Sequence, residues 1–329
     1  MRIDTSAPTR IDLAGGTIDI WPLYLFHPGA QTLNAAISIR ARATVEPRTD
    51  SRVVIRSVDT GVTVDADNAA ALAGEQRLRL LSLLVHFFEA DGITLTTTSD
   101  SPSGAGLAGS SALNVAVCAA LSEWKRQHHQ PEALLQIAMN VEAQTLGVPT
   151  GLQDYRPALY GGIAALELDA EGVHRIPLNV DLDALAQRIT LCYTGEPHNS
   201  GTNNWEITKS HLDGDRHVFD CFERIRDTAA RMREALIRGH WDAVGHAIDE
   251  EWANRRRLAP TVTTPVIEAL IAHGRAAGAT AAKVCGAGGG GCVFCFGPPE
   301  RQADIRAALT AGGARVLDYR FERQGLLRG

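Results

Sequence analysis

The sequence has no apolar run long enough to span a bilayer, and its opening "MRIDTSAPTRIDLAGG" has no continuous apolar stretch of the kind a secretory leader needs. It has no excess of positive charge: 32 Lys and Arg stand against 38 Asp and Glu, for a net charge of -6. That balance excludes nucleic acid and anionic membrane surfaces as principal partners. Cysteine is sparse, with six residues at positions 118, 192, 221, 285, 292 and 295. Cys292 and Cys295 make one C-x-x-C, but no second pair completes a zinc cage, so the six read as core thiols in a reducing cytoplasm. No repeat of fixed period and no low-complexity linker is present. What is left is a chain of 329 residues, 45% hydrophobic and 21% charged, an ordinary globular composition with room for two domains.

Strand and helix periods alternate along the chain. "TLNAAISIRARATVEPR" sets Ile37, Ile39, Ala41, Ala43 and Val45 against polar neighbours, the period of a half-buried strand. "RVVIRSVD" and "GVTVDAD" flank Thr60-Gly61 as a hairpin, and "RLRLLSLLVHFFEADG" has helical spacing that stops at Gly92. A strand follows over 93–98, then a glycine loop, a long helix from near Ser110 and another after Pro131. "GGIAALELD" and "RITLCYTG" read as strands, and residues 202–278 are almost wholly helical. Two short strands surround "KVCGAGGGGCVFCFG", a helix starts near Glu300, and "ARVLDYRF" closes as a strand. Alternation rather than solid apolar runs predicts an α+β fold with antiparallel sheets.

"SPSGAGLAGSSALNVAV" contains Gly104, Gly106 and Gly109 as a literal G-x-G-x-x-G opening a helix. A dinucleotide fingerprint requires a buried parallel strand before it, and a second strand after the helix that ends in an acid. Here the preceding "ITLTTTSDSP" is polar on one face, the helix is followed by another helix, and Glu123 falls inside the first. The dinucleotide reading fails on context. A triphosphate fits better: the glycines admit backbone N–H groups to phosphates, and Ser110 and Ser111 stand in the first helical turn, where a hydroxyl caps the helix or reaches a magnesium ion.

Three segments then stand in order: "SAPTRIDLAGGTIDI" at 6–20, "SPSGAGLAGSSAL" at 101–113 and "KVCGAGGGGCVF" at 283–294. Together they resemble the three motifs of the galactokinase, homoserine kinase, mevalonate kinase and phosphomevalonate kinase (GHMP) superfamily. "GLQDYRPALYGG" and "YTGEPHNSG" bring the resemblance closest to the heptose-phosphate and fucose kinase branch. The resemblance implies two domains, an S5-like one over 1–165 carrying the ATP loop and a ferredoxin-like one over 166–329. It implies ATP on residues 104–111 (Gly104, Gly106, Ala108, Gly109, Ser110, Ser111), with Mg2+ as cofactor. It further implies a sugar or sugar-phosphate acceptor between the halves, phosphorylated at its anomeric hydroxyl; a homodimer is an open alternative to a monomer. A mevalonate-type kinase and a silent ATP- and sugar-binding sensor are the competing readings.

The roles carried over are specific. Asp154 stands where the superfamily places its catalytic base, against the plain alternative of a turn or helix cap. Arg10 matches a cation beside that base, against a surface strand arginine. Glu142 with Ser111 matches the magnesium ligands, against a solvated helical glutamate. Thr17 and Asp19 stand where sugar kinases hold their acceptor. Asp19, bracketed by Ile18, Ile20 and Trp21, is an expensive carboxylate unless a sugar hydroxyl or a helix end pairs with it. Gly288, Gly289 and Gly290 of "GAGGGG" imply a backbone that closely approaches phosphates or acceptor, against a ligand-free glycine hairpin. "HLDGDRH" reads as a solvated loop rather than a metal site.

Departures sharpen the picture. Gly16 and Thr17 replace the acid and histidine of galactokinases, which disfavours galactose. His198 replaces an arginine of the heptose-phosphate branch, which points to an acceptor that is unphosphorylated or differently charged. Ala108 replaces a glycine and is tolerable where φ stays negative.

Overall fold

The computed structural model describes the chain apart from residues 198 and 199, so His198 lies outside the described residues. The first half runs β1 (Ile3–Ala14), β2 (Gln31–Pro47), β3 (Val53–Ser57), β4 (Val62–Ala66), α1 (Arg79–Phe87), β5 (Ile93–Ser99), α2 (Gly109–Trp124), α3 (Pro131–Leu146), α4 (Tyr155–Tyr160), β6 (Ile163–Asp169) and β7 (Gly172–Pro177). The second runs α5 (Leu182–Ala186), β8 (Ile189–Tyr193), α6 (Ser200–Leu212), α7 (Arg216–Arg238), α8 (Trp241–Arg255), α9 (Pro265–Ala276), β9 (Ala281–Val284), β10 (Cys292–Phe296), α10 (Gln302–Ala311), β11 (Arg315–Val316) and β12 (Leu327–Arg328). This is the two-domain fold of mixed helix and sheet that the sequence implied.

The large sheet has the order β12-β1-β2-β5-β3-β4, with β6 also on β2 and β7 on β6. The length of β2 makes this possible. Its first residues, 31–35, pair with β6, and its last, 41–47, pair with β5. Ladders are antiparallel except β3 on β5, which is parallel because α1 carries the chain across the sheet face. The small sheet, β11-β8-β10-β9, is antiparallel throughout.

Sheet membership does not follow the expected division at residue 165, which falls inside β6. We propose the boundary after Pro177, with the tail from Arg320 returned to the first half, since Ser38 N–H bonds the Arg320 carbonyl and Gly329 N–H the Asp4 carbonyl. This tail also corrects the strand expected from "ARVLDYRF". Only Arg315–Val316 joins the small sheet, and Phe321 instead bridges Ile37 of the large one. The alternation is real but is divided between two sheets.

α2 is buried along nearly its whole length against β1 and β2, and its apolar residues, Ala112 and the run from Val115 to Leu121, form one core with α1 and α3. A second core joins the halves, with Ile11, Leu33 and Ile37 of the large sheet packed with Leu191 and Phe294 of the small sheet and Met232 of α7. Among the described residues no helix is long and apolar enough to cross a membrane. "HLDGDRH" is a solvated link only in its middle. His211 is buried, with its Nε2 2.9 Å from that of His27, and Asp215 caps α7 through the N–H groups of His217 and Val218. Among the described residues no cluster of His, Cys, Asp or Glu forms a metal cage.

Candidate active site

The glycine loop between β5 and α2 takes its shape from left-handed backbone. Gly104 and Gly106 have φ of 63° and 73°, and Ala108, at the N-terminal boundary of α2, has φ of 60°. The negative φ expected at Ala108 is therefore corrected. The residue is held in a region that costs a non-glycine residue about 1 kcal/mol or more, and functional sites are where such strain collects. Neither serine caps the helix. Ser110 Oγ donates to Glu142 Oε1 at 2.7 Å and Ser111 Oγ to Glu142 Oε2 at 3.2 Å, so both hydroxyls turn to an acid on α3 and the first-turn N–H groups are left for a ligand.

Glu142 is 6% exposed and accepts a further bond from the Tyr155 hydroxyl at 2.6 Å. Among the described residues no Lys or Arg pairs with it. Burial pushes its carboxyl above the ordinary range, against the pull of Tyr155 and Ser110. An all-oxygen group with a buried, uncompensated negative charge is the donor set that a hard divalent cation takes, so Glu142 and Ser111 fit magnesium.

Asp154 faces this loop from the start of α4. It does not cap that helix: its backbone is helical, with φ -76° and ψ -30°, and its side chain makes no capping bond. Its Oδ1 instead accepts from Arg10 Nη2 at 2.6 Å and Nε at 3.1 Å, while Arg10 Nη1 donates to the Gly106 carbonyl at 2.7 Å. Arg10 is 2% exposed, no surface arginine. Burial would lower its pKa, but Asp154 and Asp12 more than offset this and raise it. The Asp154 side chain stays 27% exposed, open to the space before the loop.

Asp19 lies on the loop after β1. Its Oδ2 accepts the Gln153 N–H at 2.9 Å, and no Cβ fits at Gly151, where it would stand 2.6 Å from that oxygen. Burial, with the nearby Asp154 charge, pushes its carboxyl up to about 6. It caps no helix. Thr17 is held at φ 72° under Arg255, and Gly16 is glycine because a Cβ there would stand 2.0 Å from Arg255 Nη2.

These residues line one cavity of about 520 Å³, which takes in Arg10, Thr17 and Asp19 from the first motif, residues 104–106 and 108–111 from the second, and Glu142 and Asp154. From the third motif it takes Gly286 and Ala287 but not Gly288, Gly289 or Gly290. At Gly288 and Gly289 packing against Val262 bears on the choice of residue. A Cβ on Gly288 would stand 2.3 Å from the Val262 carbonyl, to which Gly289 N–H bonds at 2.8 Å. Gly286 and Gly291 in turn press on the backbone of Gly106 and Ala105, so the third motif buttresses the second.

Sequence reasoning missed the support beneath the site. Asp12 sits under Arg10 and meets Lys283 Nζ at 3.3 Å and Arg255 Nη2 at 3.5 Å, with Glu251 closing the network on Arg255 at 2.9 Å and Lys283 at 3.1 Å. The period of two in "TRIDL" was a signal for Asp12, since it puts Arg10 and Asp12 on one face of β1. Gln153 and Asn204, which also line the cavity, carried no comparable signal.

Residues 70–162 match the model described as GHMP kinases N terminal domain, and residues 232–315 the GHMP kinases C terminal model. The chain is 28% identical to a D-glycero-alpha-D-manno-heptose 7-phosphate kinase of Campylobacter jejuni, over 98% of each chain. It is 24% identical to a mevalonate kinase of Thermococcus sibiricus, over 99% of this chain and 98% of that protein. The fold resembles a crystal structure of a D-glycero-D-manno-heptose 1-phosphate kinase from Bacteroides thetaiotaomicron, with TM-score 0.80, 23% identity, and 99% and 98% of the two chains covered.

Proposed function

The chain belongs to the GHMP kinases, and on that premise we propose that it transfers the γ-phosphoryl group of ATP to a hydroxyl, the anomeric one, of a sugar or sugar phosphate. The observation that carries the reading is Asp154. It is clamped by Arg10, free of any capping duty, and open to the cavity whose other wall is the glycine loop. Phosphoryl transfer asks for positioning and charge stabilisation, and this wall supplies both.

In the proposed reaction the acceptor hydroxyl gives its proton to the Asp154 carboxylate as the new O–P bond forms, and the bond from γ-phosphorus to the β-phosphate oxygen breaks to release ADP. Arg10 fixes the direction of Asp154 and sets a positive charge beside it. Backbone N–H groups of the glycine loop hold the nucleotide phosphates, and the close approach of Gly286 to Gly106 and of Gly291 to Ala105 braces that loop. Glu142 and Ser111 would hold Mg2+, which when bound neutralises phosphate charge. Thr17 and Asp19 orient the acceptor.

A sugar is favoured over mevalonate by the heptose 7-phosphate kinase relative, whose identity exceeds that of the mevalonate kinase over the same span. All six cysteines are free and buried, and we place the enzyme in the reducing cytoplasm. The test is ADP release from Mg-ATP over free and phosphorylated heptoses and hexoses and over mevalonate. Turnover of a sugar is expected; turnover of mevalonate alone overturns the assignment.

A further inference from the structure

Three side chains on the wall of the cavity each bury an oxygen that has no hydrogen-bond partner among the described residues: Asp19 Oδ1, Gln153 Oε1 and Asn204 Oδ1. They come from separate parts of the fold, the loop after β1, the turn before α4, and α6 of the second half. Buried polar atoms are nearly always paired, so three unpaired ones on a single wall mark where a ligand supplies the partners.

The chemistry of that ligand follows from what the atoms are. Each is an acceptor and needs a donor. Even with a carboxamide turned over, the exposed group would be a neutral N–H, and a hydroxyl satisfies either end because it both donates and accepts. A phosphomonoester near neutral pH brings acceptor oxygens and a charge of about -1.5 to -2, the wrong partner for Asp19.

Nor, among the described residues, is there a spare cation to meet a phosphate. Among them Arg10 is the only Lys or Arg lining the cavity, against four carboxylates at Asp19, Asp59, Glu142 and Asp154. Its guanidinium is engaged by Asp154, Asp12 and the Gly106 carbonyl. Behind it Arg255 and Lys283 are engaged by Asp12 and Glu251. The stretch 198–203, "HNSGTN", contains no Lys or Arg. ATP does not need such a cation, because its phosphates meet backbone N–H groups of the glycine loop. The Asp19 end of the cavity has no equivalent loop.

We infer that the acceptor is an unphosphorylated, hydroxyl-rich sugar, read by Asp19, Gln153 and Asn204 together. The inference rests on the kinase reading above and narrows it to free sugars.

The experiment uses the whole protein with Mg-ATP and matched pairs of acceptors, each a free heptose or hexose and the same sugar carrying a terminal phosphate. For the free member kcat/KM is expected to be at least about tenfold higher. Equal or better turnover of the phosphorylated member overturns this inference and leaves the kinase reading standing. Turnover of mevalonate alone overturns both. Asn204→Ala should raise KM for the free sugar about tenfold, the cost of one well-placed hydrogen bond, with KM for ATP unchanged as the control for folding. An unchanged sugar KM removes Asn204 from the subsite and overturns the three-oxygen reading. The matched-pair ratio, read on the unaltered protein, decides the substrate class whatever the variant does.

Discussion

Asp12 and Asp19 stand seven residues apart, each buried and each between two aliphatic residues, yet the fold treats them in opposite ways. Asp12 meets Lys283, Arg255 and Arg10 and accepts the Gly286 N–H; burial would push its carboxyl up, but the three cations hold it below the ordinary range. Asp19 meets one N–H and no cation, and burial leaves it high, at about 6. Glu142 belongs with Asp19, since its partners are hydroxyls and an amide. The compensated acid ties β1 to α8 and β9 and so holds the halves together. The uncompensated acids cost the fold free energy, and they are the ones that line the cavity. Buried carboxylates with no countercharge are therefore the better pointer to function.

Asp154 tests that division hardest, because it is paired like Asp12 yet open like Asp19. Asp154→Asn keeps the shape but removes both the base and the charge facing Arg10. It should lower kcat by roughly 10²–10⁴ while changing KM for Mg-ATP little. Near-normal turnover would move Asp154 into the structural class with Asp12 and leave the reaction without its base.

Asp12→Asn should do the reverse. It leaves Lys283 and Arg255 buried with Glu251 as their only carboxylate, and breaking a buried ion network by removing one partner costs about 3–5 kcal/mol. The measure is the free energy of unfolding in denaturant. A loss under about 1 kcal/mol would show that the cations find other partners and that the network is not what joins the halves.

Much of this was open to reading in the sequence, because it is local. The period of two in β2, the turn at Thr60-Gly61 and the glycine loop before α2 each follow from neighbours within a few residues. Three ordered motifs also brought nine residues of the cavity wall into view, and the resemblance they carry added Glu142 and Asp154. What stayed hidden depends on contacts far apart in the chain. Ser110 and Ser111 read equally as caps or as magnesium and phosphate partners until Glu142, some thirty residues on, is seen to take their hydroxyls. Gly16 read as a missing acid, and it is glycine because Arg255 fills the space. Gly288 read as a ligand loop or a bare hairpin, and nothing local announces that it packs on Val262. Asp154 shows the limit in the other direction: its local sequence suits a cap and a catalytic base equally, and the folded geometry removes the cap.

The acidity of Asp19 gives the comparison a sign. Its folded pKa of about 6 lies above the ordinary 3.8, so it adds stability that is full below about pH 4 and is lost as pH rises through 6. The shift corresponds to about 3 kcal/mol. Asp12, held low, contributes in the opposite sense, with stability present above its unfolded pKa and lost as pH falls. Unfolding free energies of the protein and of Asp19→Asn at pH 4.5 and 7.5 separate the two. The variant should gain on the parent by about 2 kcal/mol between those values, the part of the shift that falls above pH 4.5. If instead the parent gains, Asp19 has a countercharge and belongs with Asp12.

The smallest effect concerns Glu142, and it asks what its uncompensated charge is for. A ligand at a hundred times its Kd stabilises the native state by about 2.7 kcal/mol. Mg-ATP should do so, and NAD should not, because the glycine loop lacks the strand context of a dinucleotide site. If Glu142 and Ser111 hold the cation, ATP with a chelator should stabilise less than Mg-ATP at the same concentration, by about 1 kcal/mol for a severalfold change in affinity. Glu142→Gln keeps the shape and an oxygen to accept the Tyr155 hydroxyl, but it turns the end facing Ser110 into a donor and removes the charge, so this difference should vanish there and shrink in Ser111→Ala. Melting curves with the three additions read it directly. A magnesium-dependent shift that survives in both variants would place the cation elsewhere, and Glu142 would then be a buried acid whose cost the fold bears for some reason other than metal.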